Sequence, residues 1–457
     1  MGVDDSWSLD EIKNTREIPI PEDLVEQVIG QDEAVRKVRL AMKQRRHLLL
    51  VGPRGIGKSM LAQALAKHLP KPVEQVNIVH NTQDLRKPIV EVVRQQTTIR
   101  LVEPEKAPIY VAEQLGFKCQ RCGAQTSPEK TVCTKCNTPR KGEARNEITA
   151  TCYASDGSEQ NVTYRRQEER IRVVADEPEL ALRAQDKKKR HVLLKANRKN
   201  FVQATGSSET ELLGDVRHDP YGMHPEIGTP AYLRVVPGAV HEAHEGVLFI
   251  DELPHLGELQ NYILTAMQEK KFPITSRNPH SGGASIKVDD VPCDFLFVAA
   301  CNIKDVQNIL SPLRSRILGN GYEILLNTHM EDTPQNRRLI ARFTAQEIEK
   351  DGRIPHATRE AVEALIEEGG KRARIIDDER NALTLRLRDL GGVIRLAGDL
   401  AVDEESEYIQ EQHVKTAIEE AKPIEYQLQE RYGSVLRGIE KDQIVSPEYG
   451  KIGSSYL

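Results

Sequence analysis

The chain has 457 residues, of which 39% are hydrophobic and 29% are charged, and its formal net charge is −5. This length predicts two or three domains with sizeable apolar cores, and the nearly balanced charge argues against nucleic acid as a partner. Seven cysteines are too few for a disulfide scaffold, and the sequence contains neither a secretion signal nor an apolar run long enough to span a membrane. We therefore expect a cytoplasmic protein.

The first elements of the chain have the order of a nucleotide-binding α/β domain. Residues 24–46 carry apolar residues at helical spacing and predict an amphipathic helix. The run HLLLVGP is typical of a buried parallel strand that ends in a turn, and SMLAQALAKHL predicts a second helix. A strand, a glycine-rich loop and a helix, in that order, are the context that a phosphate-binding loop requires.

The loop itself, GPRGIGKS, begins at Gly52 and matches the pattern G-x-x-x-x-G-K-[ST] in full. Its glycines allow backbone N–H groups to point at phosphate oxygens, while the next helix presents the positive end of its dipole. We expect Lys58 to reach the β and γ phosphates of ATP and Ser59 to hold Mg²⁺; the alternative is a chance glycine-rich turn. The candidate nucleotide ligands of this loop are Gly52, Pro53, Arg54, Gly55, Ile56, Gly57, Lys58, Ser59 and Met60.

A cysteine motif interrupts the α/β pattern. Cys119, Cys122, Cys133 and Cys136 have the spacing C-x2-C-x10-C-x2-C, within a strand-rich stretch. Four thiolates on two tight turns suit a closed, tetrahedral Zn²⁺ site of structural type. Iron also fits four sulfur ligands, and disulfides or chance spacing are further alternatives. The metal would act either as a staple for a lobe with a small core or as part of a docking surface.

Two further apolar runs, GVLFIDEL and DFLFVAACN, predict buried strands that end in polar residues. We expect Asp251 to hold Mg²⁺ through water and Glu252 to activate the attacking water as a general base, although Asp-Glu after a strand also begins helices. Asn302 is a candidate for orienting that water or sensing the γ-phosphate; the alternative is a turn-forming asparagine.

Several arginines and one loop are further candidates. Arg314 and Arg316 are candidates for an arginine finger that reaches a neighbouring subunit's nucleotide, and Arg386 and Arg388 for a contact to the γ-phosphate; each can equally be a surface arginine in an ion pair. The pair Tyr232–Leu233 has the appearance of an exposed pair in a loop bounded by glycine and proline, and a core contact is the alternative.

These patterns divide the chain into six segments. We predict an N-terminal arm (1–23), the first part of an α/β domain (24–84), an inserted β-rich lobe with the cysteines (85–205), the second part of the α/β domain (206–329), a small all-helical domain (330–435) and a C-terminal tail (436–457). The expected fold class is an α/β P-loop nucleotidase with a parallel central sheet.

Taken in order, the motifs resemble an AAA+ ATPase, and more narrowly the ATPase part of the B-type Lon proteases (LonB). The resemblance covers most of residues 18–450 apart from the inserted lobe. It rests on IPIPEDLVEQVIGQDEAV, GPRGIGKS, GTPAYLRVVPGAVHEAHEGVLFIDE, AMQEKKFPIT, VPCDFLFVAACN, LRSRI and LTLRLRDLGGVIRLAGDLA. Magnesium-chelatase-like ATPases share only the first few of these stretches.

The resemblance implies a role for each matching position. Ile29 and Gly30 lie where such ATPases contact the adenine, and Asn302 matches the first sensor. Arg316 is the better match to the finger and Arg388 to the second sensor. Tyr232 and Leu233 fall near the pore loop that grips an unfolded polypeptide. Members of the family are hexameric rings that thread unfolded or misfolded protein substrates with ATP and Mg²⁺.

Two departures from the family pattern shape the expected function. Archaeal LonB proteins carry a membrane-spanning insertion where this chain has the cysteine lobe. The family also continues into a Ser–Lys protease domain, and this chain ends at SPEYGKIGSSYL, about where that domain would begin. We expect the ATPase part of a longer or split Lon-type protease, with a separate protease or an adaptor as a candidate partner. The alternatives are a stand-alone remodelling ATPase and a nucleotide-switched scaffold that docks partners through the zinc lobe.

Overall fold

The computed structural model describes residues 7–128, 130, 132–139, 144–153, 159–167, 170–178, 189–219, 221, 227–276 and 286–421. The predicted tail, 436–457, lies outside the described residues, as do residues 422–435 of the predicted helical domain. The chain divides into two compact units. The first takes in residues as far as His68, Asp251–Pro254 and residues from Val298 onwards; the second consists of Leu69–Ile250 and His255–Phe297.

The helices of the described residues are α1 (Asp32–Gln44), α2 (Lys58–His68), α3 (Ile109–Gln114), α4 (Glu209–Leu213), α5 (Ala239–Glu242), α6 (Leu259–Glu269), α7 (Ser311–Gly319), α8 (Pro334–Asp351), α9 (Arg359–Ile376), α10 (Leu387–Asp403) and α11 (Glu411–Glu420). Short 3₁₀ turns lie at Thr15–Glu17, Ala231–Leu233, Leu253–Leu256 and Ile303–Asn308.

The strands are β1 (His47–Val51), β2 (Glu74–Val79), β3 (Ile89–Val102), β4 (Glu147–Tyr153), β5 (Glu159–Gln167), β6 (Arg170–Pro178), β7 (Arg190–Leu194), β8 (Phe201–Gln203), β9 (Asp215–Val216), β10 (Val235–Val236), β11 (Val247–Ile250), β12 (Ile274–Thr275), β13 (Lys287–Val288), β14 (Leu296–Cys301), β15 (Gly321–Leu325), β16 (His329–Glu331) and β17 (Ala382–Thr384).

A parallel sheet with the strand order β15-β1-β14-β11-β8 forms the centre of the α/β fold. Strand β1 pairs in parallel on both sides, so that Leu48 lies beside Val298 and beside Tyr322. Every residue of β1, β11 and β14 is buried. A strand covered on both faces needs apolar residues at successive positions, which explains why these three strands read as continuous apolar runs. The predicted α/β class with a parallel central sheet is confirmed.

The helical part of the first unit has a continuous apolar core of its own. Helices α8 to α11 contribute Ile340, Leu365, Val393 and Val414, each no more than 2% exposed. Threonine side chains cap the N-termini of α8 and α9 by accepting hydrogen bonds from backbone N–H groups. The N-terminal segment belongs to the same core, since Ile12 and Ile18 are members of this cluster.

The second unit contains an antiparallel sheet with the strand order β4-β5-β6-β3-β2-β7. The long strand β3 pairs with β2 through its first half and with β6 through its second half. Helix α3 contributes Val111 and Ala112 to a small apolar cluster with residues of β4, β5 and β6, and Phe117 extends this cluster towards the cysteine motif. The predicted β-rich character of this part of the chain is confirmed.

The helix predicted over residues 24–46 is wrong in its first third, because α1 begins only at Asp32. Gly30 has φ +65° and interrupts any regular helix. The Gln31 amide then bonds to both the backbone N–H and the backbone carbonyl of Asn327. The apolar residues Val25 and Ile29 are buried although neither lies in a helix, so helical spacing in this segment reflects burial of irregular backbone.

Among the described residues, no helix has both the length and the apolar character needed to cross a membrane.

Candidate nucleotide site and cysteine cluster

The glycine-rich loop joins β1 to α2 and forms one wall of a cavity. Gly55 and Gly57 have φ values of +82° and +92°, a region that side chains other than hydrogen rarely tolerate. A Cβ atom at Gly55 would also lie 2.9 Å from the Cβ of Arg388. The backbone N–H of Arg388 donates to the carbonyl of Gly55 at 3.2 Å. The loop conformation is therefore fixed both by its own glycines and by the start of α10.

Lys58 is buried at the first position of α2, with only 6% of its surface exposed. Its Nζ donates to the carbonyls of Gly52 at 2.6 Å and Pro53 at 2.9 Å. Burial lowers the pKa of Lys58 below its ordinary value, against the opposing effect of the Asp251 carboxylate. The loop thus holds a partly desolvated ammonium, which binds an anion more strongly than an exposed one does.

Two carboxylates follow β11 directly. Asp251 accepts a hydrogen bond from the backbone N–H of Glu252 at 3.0 Å, and Glu252 has a left-handed backbone with φ +56°. Nη2 of Arg54 donates to Oε1 of Glu252 at 2.5 Å. Residues of the phosphate loop and of the Asp-Glu pair, nearly 200 positions apart in the sequence, are therefore in direct contact.

The cavity that these residues share has a volume of about 620 Å³ and is lined entirely by residues of the first unit. Volumes of this size suit cofactor-sized ligands. Its lining residues are Gln27, Val28, Ile29, Arg54, Gly55, Ile56, Gly57, Lys58, Ser59, Met60, Asp251, Glu252, Phe343, Gln346, Glu347, Lys350, Leu387, Arg388 and Arg395.

Four of the predicted nucleotide-site residues lie outside this lining. Gly52 and Pro53 only support Lys58, as described above, and Gly30 contacts Leu385 of the helical part: a Cβ atom at Gly30 would lie 2.5 Å from that side chain. Asn302 directly follows β14, and its Nδ2 donates to Asp305 at 3.2 Å.

The four candidate arginines differ in what they contact. Arg314 forms a two-pronged ion pair with Glu323, and Arg386 is paired with Asp377 at 2.9 Å. Arg388 is exposed and lines the cavity. Arg316 is exposed on α7, outside the cavity lining, and within the described residues it has no ion pair. Arg388 and Arg316 are thus the two of the four that remain available to a ligand or a neighbouring chain.

Sequence reasoning missed one face of α8. Phe343, Gln346, Glu347 and Lys350 have the spacing i, i+3, i+4, i+7, and all four line the cavity. Residues at this spacing share one side of a helix. A helix face that only packs against a core is apolar, whereas this face mixes polar and apolar side chains. That mixture is the sequence signal that could have identified these residues.

In the second unit, the four motif cysteines come together. Their Sγ atoms all lie within 4.8 Å of one another, and the Sγ–Sγ distance is 3.7 Å for both Cys119–Cys136 and Cys122–Cys133. A zinc ion with Zn–S bonds of about 2.3 Å has tetrahedron edges of about 3.8 Å. These spacings are too long for disulfides. The donor set therefore fits a four-sulfur metal site.

Each cysteine pair lies on a tight turn of the same design. Gly123 N–H donates to the carbonyl of Cys119, and Asn137 N–H donates to the carbonyl of Cys133. Both Gly123 and Asn137 are left-handed, with φ of +66° and +53°. The side-chain and backbone hydrogen bonds of Thr138 lower the pKa of Cys136 to about 6. The second turn thus favours the thiolate form that a metal requires.

The predicted pore-loop pair is split in the structure. Tyr232 is only 6% exposed, and its ring centroid lies 5.3 Å from that of His80. Leu233, in the same 3₁₀ turn, is 42% exposed. Of the pair, Leu233 alone presents a largely accessible side chain.

Two protein families match parts of this chain. The family "Magnesium chelatase, subunit ChlI" matches residues 23–108 and 217–315, and "Archaeal LonB, AAA+ ATPase LID domain" matches residues 356–422. A "Putative lon protease homolog" of Methanothermobacter thermautotrophicus is 49% identical over 483 aligned residues, which cover 98% of this chain and 96% of that protein. An "Archaeal Lon protease" of Thermococcus kodakarensis is 40% identical and covers 97% of this chain, which spans 66% of that protein.

Among solved structures, NtrX from Brucella abortus in complex with ATP is similar over 95% of this chain and 63% of that one, with 13% identity and a TM-score of 0.37. The class of this protein follows from its fold and from the family matches. The parallel sheet, the phosphate loop and the helical part of the first unit, α8 to α11, define an AAA+ ATPase module. At 49% identity over nearly the whole of both chains, this chain belongs to the family of Lon protease homologues.

Proposed function

We propose that the chain hydrolyses ATP with Mg²⁺ and uses the energy to unfold and move polypeptide substrates, as the motor of a Lon-type proteolytic system. The observation that carries the proposal is that one cavity brings together Lys58, Asp251, Glu252 and Arg388. Membership of the Lon homologue family supports the link to protein substrates.

Each residue has a proposed role in that chemistry. The loop backbone and Lys58 bind the phosphates, while Ser59 and Asp251 hold Mg²⁺. Glu252 activates the attacking water as general base, and its contact to Arg54 supports this role by fixing the carboxylate beside the phosphate loop. Asn302 senses the γ-phosphate from the end of β14, and Arg388 contacts the phosphates from α10.

The proposal extends to a hexameric ring, in which Arg316 reaches the nucleotide of the neighbouring subunit. Its exposure on α7 supports this role. In the same ring, Leu233 and Tyr232 grip the substrate chain. The exposure of Leu233 supports a contact of this kind, whereas Tyr232 would first have to leave its contact with His80.

We further propose that the four cysteines hold a structural Zn²⁺. Because all four donors are thiols on two matching turns, the ion would leave no open position for a substrate. The zinc ion would therefore have a structural role and would hold the two cysteine turns together. Within the described residues, the apolar cluster next to them has nine buried members, far fewer than the core of the helical part, which supports a need for such a metal.

The test of the motor combines two readouts in one reaction. The purified chain is incubated with ATP, Mg²⁺ and a fluorescently labelled unstructured protein, and phosphate release and fragmentation are followed together. We expect the substrate to stimulate phosphate release, and Glu252→Gln to abolish it. The control is Glu269→Gln, an exposed carboxylate at the end of α6.

The outcomes separate the possible systems. Stimulated phosphate release with an intact substrate means that these 457 residues hold no active peptidase and that a peptidase, if one takes part, lies outside them. Phosphate release that ignores the substrate would contradict a protein-unfolding motor and would favour a nucleotide-switched scaffold. If Glu252→Gln keeps full phosphate release, the proposed catalytic carboxylate is wrong.

A further inference from the structure

One polar side chain in the cavity wall is buried without a partner. Gln346 lies on α8, lines the cavity and is only 8% exposed. Its Nε2 is fully buried and has no hydrogen-bond partner within the described part of the chain. An unpaired buried amide donor destabilises the folded state, and such groups in native proteins call for an explanation, of which a ligand is one. Because Nε2 is fully buried, the side-chain amide has to turn towards the cavity before an acceptor on a ligand can reach it, and that hydrogen bond then removes the penalty.

The surroundings of Gln346 suit a flat, mostly apolar group. Phe343 precedes it by three residues and therefore shares its helix face, and Phe343 is 7% exposed in the cavity wall. Ile29 lines the same cavity and belongs to the same apolar cluster as Phe343. Aromatic and branched aliphatic side chains of this kind form sites for heteroaromatic rings.

The charged neighbours of Gln346 are already engaged. Oε2 of Glu347 accepts from Arg395 at 2.7 Å, and Oε1 lies 3.6 Å from Lys350. The phosphate-binding groups, in turn, belong to the loop and to the Asp-Glu pair at β11. The base of the nucleotide would therefore bind at the apolar side of the cavity, which contains Phe343, Ile29 and Gln346.

We propose that Gln346 Nε2 donates a hydrogen bond to a ring nitrogen of the purine base, which makes Gln346 a specificity-determining residue. The inference rests on the proposed ATP site. Adenine carries unprotonated ring nitrogens at N1, N3 and N7, and side-chain amides bind adenine edges in this way elsewhere.

The test uses ATP analogues in which one ring nitrogen is replaced by C–H. Binding of N-methylanthraniloyl-ATP with Mg²⁺ is measured by fluorescence on the full chain, and ATP, 1-deaza-ATP, 3-deaza-ATP and 7-deaza-ATP are used as competitors. We expect one of the three analogues to bind the wild-type chain about 3- to 10-fold more weakly than ATP, the effect of one lost hydrogen bond.

The variants assign that loss to Gln346. Gln346→Met keeps the length of the side chain and removes the donor; it should bind ATP more weakly by a similar factor and no longer distinguish ATP from the selected analogue. Gln335→Met is the matched control, because Gln335 is exposed on the same helix and lies outside the cavity lining. Gln335→Met should distinguish ATP from the selected analogue as the wild type does.

Two results overturn the inference. It is wrong if the wild-type chain binds all three analogues as tightly as ATP, a comparison that does not need the variant to fold. It is also wrong if folded Gln346→Met still discriminates as the wild type does. If the ATP site itself is wrong, the result is different. The wild-type chain then shows either no binding of the labelled ATP or binding that Lys58→Ala does not weaken, and both proposals are wrong.

Discussion

The nucleotide cavity and the cysteine cluster differ in how far apart their parts lie in the sequence. The cavity joins residues 27–29, the phosphate loop, Asp251 and Glu252 to side chains of α8 and α10. The cysteine cluster comes from residues 119–136 alone. The cavity therefore exists only when the first unit is folded, whereas the geometry of the cluster is set by two short turns.

The two regions also differ in what stabilises them. The helical wall of the cavity rests on a large apolar core that includes Phe343, Leu390 and Val393. Next to the cysteines, by contrast, the apolar cluster is small, and a metal would supply most of the local stability. This contrast predicts that damage to one site leaves the other intact.

The largest expected effect comes from removing two thiolates. Cys119→Ser with Cys122→Ser should reduce the zinc content from about one ion per chain to none, because structural zinc sites bind with about 10–16 kcal/mol and need all four ligands. Zinc is measured by elemental analysis, and the order of residues 116–139 by limited proteolysis. ATP turnover should stay within about twofold of wild type, since the cavity has its own core.

Thr134→Ser, inside the second cysteine turn, is the control and should keep its zinc. An equal loss of ATP turnover and of zinc in the double variant would contradict the independence of the two sites. Zinc retained by the double variant would exclude the four-cysteine site itself.

The next largest effect distinguishes two arginines two positions apart. Arg388→Ala should lower ATP turnover about 100-fold, the usual cost of losing a charge-stabilising donor, and leave the unfolding free energy nearly unchanged because Arg388 is exposed. Arg386→Ala should keep turnover but cost about 2 kcal/mol of stability, because it leaves the buried carboxylate of Asp377 without its charged partner.

Turnover is measured by phosphate release and stability by urea unfolding, each on both variants. If Arg386→Ala lost turnover while Arg388→Ala kept it, the assignment of the second sensor would be reversed.

A smaller effect is expected from a side chain that touches a cysteine. Oγ1 of Thr138 lies 3.2 Å from Sγ of Cys136, and hydrogen bonds of Thr138 hold the pKa of that thiol at about 6. Thr138→Val removes the hydroxyl, so the pKa of Cys136 rises and protons displace zinc at a higher pH. At neutral pH the zinc affinity should fall about 10-fold.

The measurement is zinc release to a chelating dye at stepped pH. Thr126→Val is the control, because its hydroxyl donates to the carbonyl of Gly116 rather than to a sulfur. If Thr138→Val releases zinc at the same pH as the wild type does, the hydroxyl has no influence on the metal site.

The sequence carries local information about both sites and little about how distant parts meet. The strand β1, the phosphate loop and the four cysteines could be predicted because short motifs with fixed spacing determine them. The face of α8 could not, because helical periodicity tells which residues share a side but not what that side covers. The role proposed for Gln346 therefore follows only from the structure, in which α8 and the phosphate loop line the same cavity.

The failures have the same origin. Tyr232 looked exposed because its loop is bounded by glycine and proline, yet it packs against His80, which is about 150 positions away. The predicted helix over 24–46 failed because Gly30 adopts φ +65° and Gln31 bonds to Asn327 across almost 300 positions. In both cases a long-range contact outweighs the local pattern.

The smallest expected effect tests whether the two cysteine turns are truly equivalent. Gly123 is left-handed, and an added Cβ there would meet no atom within 4 Å; Asn137 holds the same place in the second turn. Asparagine tolerates this conformation, whereas a β-branched residue is strained in it. Gly123→Asn should therefore bind zinc like the wild type, while Gly123→Val should bind it more weakly by about 1–2 kcal/mol. Zinc titration of both variants decides the matter, because equal weakening by asparagine and valine would mean that the first turn needs glycine for a reason other than its φ angle.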